Sequence, residues 1–350
     1  MKNSIKYLLA SAGMMLAIGV TAQDVHFSQM GYSPLNLNPG LAGAHSALQG
    51  VVNYRTQWSS VAVPYTTIGA SVDGRFNENK RGKSGIIAGG INFFNDQSGN
   101  LNVKTTNVSV NLAYHLILDR TSTLGLGIYG GYGQRSISPD EGRWGSQYDG
   151  SIDDGYNATL NGGSALINNR SFSALDAGAG LVYSYKNSDG YMTQNNQQWH
   201  TGGVAFYHVN NPSYSFFADS DEKLYMRWSL FYNGIIGIEN SRGAIEPGVY
   251  FNRQKTSMEI LYGAYYRHTI TEGSKITGRS KPFFFHIGLF HRWGDALVAK
   301  SMLEWYEISA GFAYDINISS LTDVSNARGG FEVFLRYNME PGGVSKSKIR

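Results

Sequence analysis

Cysteine is absent from all 350 residues, which excludes a disulfide framework, a thiolate metal site and a thiol nucleophile. Charge is scarce as well: only 16% of the chain is Asp, Glu, Lys or Arg, and the formal net charge is +3. No strongly basic surface is available, so nucleic acid is not an expected partner. After the first two dozen residues there is no apolar run of about 18, the length a membrane helix needs. Two classes survive these exclusions. One is an exported all-β protein; the other is a membrane barrel, whose strands carry only alternating apolar residues.

What is present favours the barrel. Lys2 and Lys6 precede an apolar run from Tyr7 to Val20, and Val20-Thr21-Ala22 supplies small residues at a cleavage position. Residues 1–22 are therefore expected to be a secretory signal peptide, with the exported chain starting at Gln23. Loss of the two lysines would take the formal charge from +3 to +1. The chain is rich in glycine (43) and tyrosine (23), and 13% of it is aromatic. Outer-membrane barrels use aromatic girdles at both interfaces and glycine where the wall curves.

Period-two alternation recurs from Val51 nearly to the end. In "NVSVNLAYHL" the residues Val108, Val110, Leu112, Tyr114 and Leu116 share one face, opposite Asn107, Ser109, Asn111, Ala113 and His115. "YEISAGFAYDIN" repeats the arrangement, and so does "GFEVFLRY", with Phe331, Val333, Leu335 and Tyr337 on one side. Strands are expected near 50–58, 65–76, 84–95, 102–118, 122–137, 171–186, 198–210, 224–239, 243–253, 256–269, 282–293, 296–305, 306–317 and 329–338. These fourteen predict an all-β, outer-membrane-type transmembrane antiparallel barrel over residues 50–338, with both barrel ends of the chain on the periplasmic side. By parity the long irregular stretches 138–170 and 210–223 fall on the extracellular side. Residues 339–350 trail the last strand as a C-terminal tail.

The motifs that would carry chemistry fail on context. "GLGIYG" at Gly125 to Gly130 has the letters of a dinucleotide loop but lies inside an expected strand, where no helix N-terminus can face a pyrophosphate. "RGKS" at Arg81 to Ser84 ends like a phosphate loop, but Asn77 stands where its first glycine belongs. "DGSIDDG" at Asp149 to Gly155 resembles a calcium loop, yet Asp154 replaces the turn glycine and Leu160 the bidentate glutamate. The eight histidines show no metal-ligand spacing. No cofactor, no metal and no catalytic residue is expected, and the chain is read as not an enzyme.

"GYSPLNLNPGLAG", residues 31–43, is too broken by Pro34 and Pro39 for a long helix and too apolar, with Leu35, Leu37 and Leu41, for a solvated tail. Residues 23–49 are expected to be an irregular segment that plugs the barrel at its periplasmic side. Residues 30–43 would pack on the lumen wall, with Asn36 and Asn38 pairing irregular backbone.

Taken together, "HFSQMGYSPLNLNPGLAG", "NYRTQW", "YTTIGASVDGRF", "YHVNNPSYSF", "YDINISSL" and "GGFEVFLRY", in this order along the chain, resemble the PorP/SprF family of type IX secretion system membrane proteins. The start departs from the family in Asp24-Val25-His26, which replaces an expected proline-containing stretch. The resemblance implies a barrel in the outer membrane of gliding or secreting Bacteroidetes-type bacteria. It implies as partners other type IX components, the lipid bilayer and a secreted adhesin bearing a C-terminal sorting domain, which the barrel would bind and anchor or help export. Family-motif candidates for partner binding are Leu35, Asn38, Pro39, Tyr54, Arg55, Gln57, Trp58, His208, Asn211, Pro212, Asp315 and Asn317. The alternative is a porin-like or fatty-acid-transporter-like diffusion channel of the same fold. The small lumen-side residues Gly125, Gly127, Ser309 and Gly311 leave room for something to enter.

Overall fold

The computed structural model describes residues 27–60, 63–76, 84–148, 157, 159–160, 170–187, 195–217, 221–273, 280–319 and 322–339. The expected signal peptide, the stretch 149–155 and the tail beyond residue 339 lie outside them. Fourteen antiparallel strands form a closed barrel in which each pairs with its chain neighbours and β1 pairs with β14. They are β1 (Leu48–Gln57), β2 (Tyr65–Arg75), β3 (Gly85–Ser98), β4 (Val103–Ile117), β5 (Ser122–Ser136), β6 (Ser171–Asn187) and β7 (Gln198–Tyr207). They continue as β8 (Arg227–Gly237), β9 (Gly243–Gln254), β10 (Ser257–Thr271), β11 (Phe283–Arg292), β12 (Ala296–Trp305), β13 (Ile308–Asn317) and β14 (Arg328–Met339). Every expected strand is present, with ends moved by a few residues, and the "GLGIYG" stretch is part of β5.

Alternation sets which side faces out. On β4 the exposed residues are Val108, Val110, Leu112, Tyr114 and Leu116, while Asn107, Ser109, Asn111, Ala113 and His115 are buried. On β14 Phe331, Val333, Leu335 and Tyr337 are exposed, and Glu332 and Phe334 are buried. This is a soluble protein turned inside out: leucine, valine and isoleucine on the outer wall, asparagine, serine and charge within. Such a surface is stable only where lipid replaces water. Among the described residues no helix is long and apolar enough to cross a membrane.

Two ends follow from the connectivity. The turn end holds the start of β1, the end of β14 and the link 118–121; the loop end holds the connections 137–170 and 208–226. Barrels keep their long loops outside the cell, so the loop end is assigned to the exterior.

Part of the lumen is occupied by the chain itself. Three single-turn helices, Met30–Tyr32, α1 (Pro34–Leu37) and Pro39–Leu41, carry residues 27–47 through it. Phe27, Met30, Leu35, Leu37, Leu41 and Ala42 are all buried, against partners such as Val182, Phe231, Tyr250, Leu261 and Phe290 on the inner wall. Each large apolar side chain so buried contributes roughly 1.5 to 3 kcal/mol. The prolines account for the broken path: each starts a single turn, where the missing N–H costs nothing.

Candidate functional site

The segment runs the length of the barrel, rather than capping the turn end as expected. At the loop end it begins in a buried charge network. Arg55 on β1 and Arg292 on β11 each place a guanidinium nitrogen 2.9 Å from Asp315 on β13. Arg292 also lies 3.1 Å from Glu259 and 3.2 Å from Asp295. The segment supplies the donors the carboxylates still need. The Ser28 hydroxyl donates to Asp315 at 2.7 Å, and the Ser28 and Gln29 backbone N–H groups donate to Glu332 at 2.6 and 3.2 Å. Arg292 donates back to the Ser28 hydroxyl at 2.7 Å. Arg55 and Glu332 are direct partners across the β1–β14 seam, so the network ties the segment to the place where the barrel closes. Charges this deeply buried are tolerated only when paired and hydrogen-bonded.

Midway, Asn38 is the main anchor. Its side-chain amide donates to the carbonyls of Leu181 and Val204 at 3.2 and 3.0 Å, and its oxygen accepts from the Gly40 N–H at 2.8 Å. Those wall carbonyls are reachable because the wall is thin there. A Cβ at Gly180 would collide with the Asn38 side chain, and one at Gly127 with the Gly40 backbone. These two wall glycines are seats for the Asn38-Pro39-Gly40 turn, a closer reason for glycine than wall curvature. At the turn end, Asp73 accepts from the Gly43 N–H at 2.7 Å, Arg75 donates to the Gly43 and Ala44 carbonyls, and the Ala47 N–H donates to Met339.

Above the segment, at the loop end, lies an open cleft of about 750 Å³ counting its mouth. Its floor includes Phe27, Leu35 and Asn36, and its walls include Tyr129, Asp176, Tyr207, His208 and Arg227. Residues 212–214 and 222–224 border it as a short antiparallel pair, with Tyr214 N–H donating to the Glu222 carbonyl and Leu224 N–H to the Pro212 carbonyl. His208 and Asn211 take left-handed backbone angles, φ 58° and 42°, which turn the chain sharply off β7. Asn210 pins the turn to β6, accepting from Ala177 N–H and donating to the Leu175 carbonyl.

The sequence candidates therefore separate into groups. Leu35, Asn38 and Pro39 are buried in the lumen segment. Arg55 and Asp315, 260 residues apart, meet in the charge network, and Asn317 beside them donates to Ser325 at 3.1 Å. His208 and Pro212 line the cleft, with Asn211 exposed at its rim. Tyr54 faces outward, Gln57 is half-buried, and Trp58 ends the strand packed on Tyr65. Sequence reasoning missed Ser28, Gln29, Arg292, Glu332 and Asp176. For the last three a signal existed: each is a charge on the inward parity of a strand.

Among solved structures, the chain is similar to the TodX deltaS2S3 mutant monoaromatic hydrocarbon channel at 9% identity and TM-score 0.45, covering 87% of this chain and 94% of that one. It is similar to BamA from Haemophilus ducreyi lacking POTRA domains 1–3 at 9% identity and TM-score 0.42, covering 83% and 70%. With CdiB from Acinetobacter baumannii the identity is 10% and the TM-score 0.40, covering 83% of this chain and 60% of that one, so the chain spans about three fifths of that structure's length. No curated protein matches the chain. The profile described as type IX secretion system membrane protein PorP/SprF matches residues 20–337. A closed barrel with an apolar exterior, matched by that profile over nearly its whole length, belongs to the PorP/SprF family of type IX secretion system membrane proteins and resides in the outer membrane.

Proposed function

We propose that this type IX secretion barrel binds a secreted surface adhesin bearing a C-terminal sorting domain and anchors it or helps its export, with no catalytic step of its own. The observation that carries the reading is the occupied lumen. A diffusion channel needs a water-filled path lined by polar groups, whereas here residues 27–47 run through that space and are tied down at both ends. A barrel so threaded has its working surface at its rim and loops rather than along its axis. On this reading His208, Asn211 and Pro212 face the partner, while Leu35, Asn38, Pro39, Arg55, Asp315 and Asn317 hold the lumen segment. Tyr54 belongs to the lipid-facing wall and Trp58 to its edge, while Gln57 shares the inward side of β1 with Arg55.

The test is deletion of the gene, followed by surface proteomics of intact cells and uptake assays for small solutes. Loss of a sorting-domain adhesin from the surface with unchanged uptake is the expected result. Unchanged surface display with impaired uptake would favour the channel reading.

A further inference from the structure

Asp176 on β6 is 5% exposed at its side chain and lines the loop-end cleft. The Tyr129 hydroxyl donates to its Oδ2 at 2.7 Å, and His208 Nδ1 lies 2.8 Å from the same oxygen. Its Oδ1 has no hydrogen-bond donor among the described residues. A buried carboxylate oxygen without a donor is costly, and an N–H group entering the cleft would remove that cost. The surroundings suit a cationic donor. Tyr129 and Tyr207 pack edge to face at 5.3 Å beside the carboxylate. One cation already uses this wall: the Arg227 guanidinium sits 4.3 Å from the Tyr207 ring centre while donating to the Asn36 carbonyl at 3.2 Å. Aromatic faces beside a carboxylate form the arrangement that recognises ammonium and guanidinium groups.

Charge at the two ends of the barrel points the same way. The connection 137–170 carries five carboxylates against Arg143 and Arg170, and 208–226 carries three against Lys223, a net of −5 for the pair. The opposite end is not acidic: its connections 76–84 and 272–282 set Glu78 and Glu272 against three cations each, and with Asp189 and Glu307 in its remaining connections the net is +2. An aromatic cleft with a donor-poor carboxylate, at the end of the barrel whose connections carry the negative charge, attracts and orients a positively charged chain.

We propose that the loop end docks a basic polypeptide segment, one lysine or arginine side chain of which enters the cleft beside Asp176. The inference rests on the adhesin-binding reading for the origin of the polypeptide, and it adds the partner's chemistry.

The experiment uses the purified full-length barrel in nanodiscs and three blocked pentapeptides of alternating alanine with lysine, norleucine or glutamate, titrated by calorimetry at low and high salt. The lysine peptide should bind about tenfold more tightly than the norleucine peptide, the scale expected for one desolvated cation–aromatic and charge-assisted contact. The preference should shrink in high salt, and Asp176→Asn should bring the two peptides to near parity. Equal binding of lysine and norleucine peptides by the parent barrel, or tighter binding of the glutamate peptide, overturns the proposal. So does an Asp176→Asn barrel that keeps the full preference. If that variant does not fold, the parent's lysine-to-norleucine ratio alone decides. The peptides derive from no adhesin, so a failed preference here is distinguishable from unchanged surface display in the deletion strain.

Discussion

Replacing Leu35 and Leu37 together with serine tests whether the lumen segment is a structural part of the barrel. Leu35 is 1% exposed and Leu37 4%, the first packed with Ala42 and Ala113, the second in the cluster of Met30, Val182, Phe231 and Tyr250. Each loses roughly 1.5 to 3 kcal/mol of apolar burial. Each new hydroxyl, placed among apolar side chains, costs a further ~1 to 3 kcal/mol if it finds no partner. The pair should therefore weaken docking of the segment by about 5 to 12 kcal/mol, summing those ranges. The strand ladder does not involve these residues, so the barrel should still form. Heat-modifiable gel mobility in detergent would report a lower melting midpoint, and limited proteolysis would cut within 30–43 in the variant and not in the parent. A variant that melts like the parent and resists protease equally would refute the reasoning, and the leucines would then be better read as a docking strip for a partner.

Further expectations follow from the same structure. Asp315→Ala strips two arginines and the Ser28 hydroxyl of their shared partner, and should destabilise the protein by about 3 to 5 kcal/mol, the cost of leaving buried charges unpaired; a change under 1 kcal/mol in a urea titration would show the network to be solvated. Val333→Arg puts a charge on the lipid face of β14 and should cost about 2 to 4 kcal/mol if the residue lies near the bilayer midplane, measured by refolding into liposomes, with unchanged refolding contradicting the outward assignment. A peptide tag inserted between Asp149 and Gly155, in the connection 137–170, should be labelled on intact cells; labelling only after permeabilisation would invert the barrel's orientation.

The strand wall was legible because its code is local. Val108 to Leu116 alternate with Asn107 to His115 on either side of a single strand, and that period needs no knowledge of the rest of the chain. The lumen segment was half legible: its leucines demanded burial and its prolines forbade a long helix, but its depth was set by contacts no local pattern carries. Ser28 reaches Asp315, 287 residues away, and Asn38 reaches carbonyls of Leu181 and Val204. Gly127 and Gly180 show the limit from the other side. Read alone they are ordinary barrel glycines, and only the folded chain shows what each would strike. The cleft was least legible, since Asp176, Tyr129 and His208 come from two strands and a loop, and barrel register rather than spacing brings them together.

Whether this barrel holds a partner rather than conducts solutes is decided by planar-bilayer recording of the purified protein. With residues 27–47 docked through the lumen, reconstituted barrels should give no large, steady conductance, and the Leu35→Ser, Leu37→Ser variant should give more current than the parent. Large, steady conductance from the parent barrel in the absence of any partner would contradict the holding role.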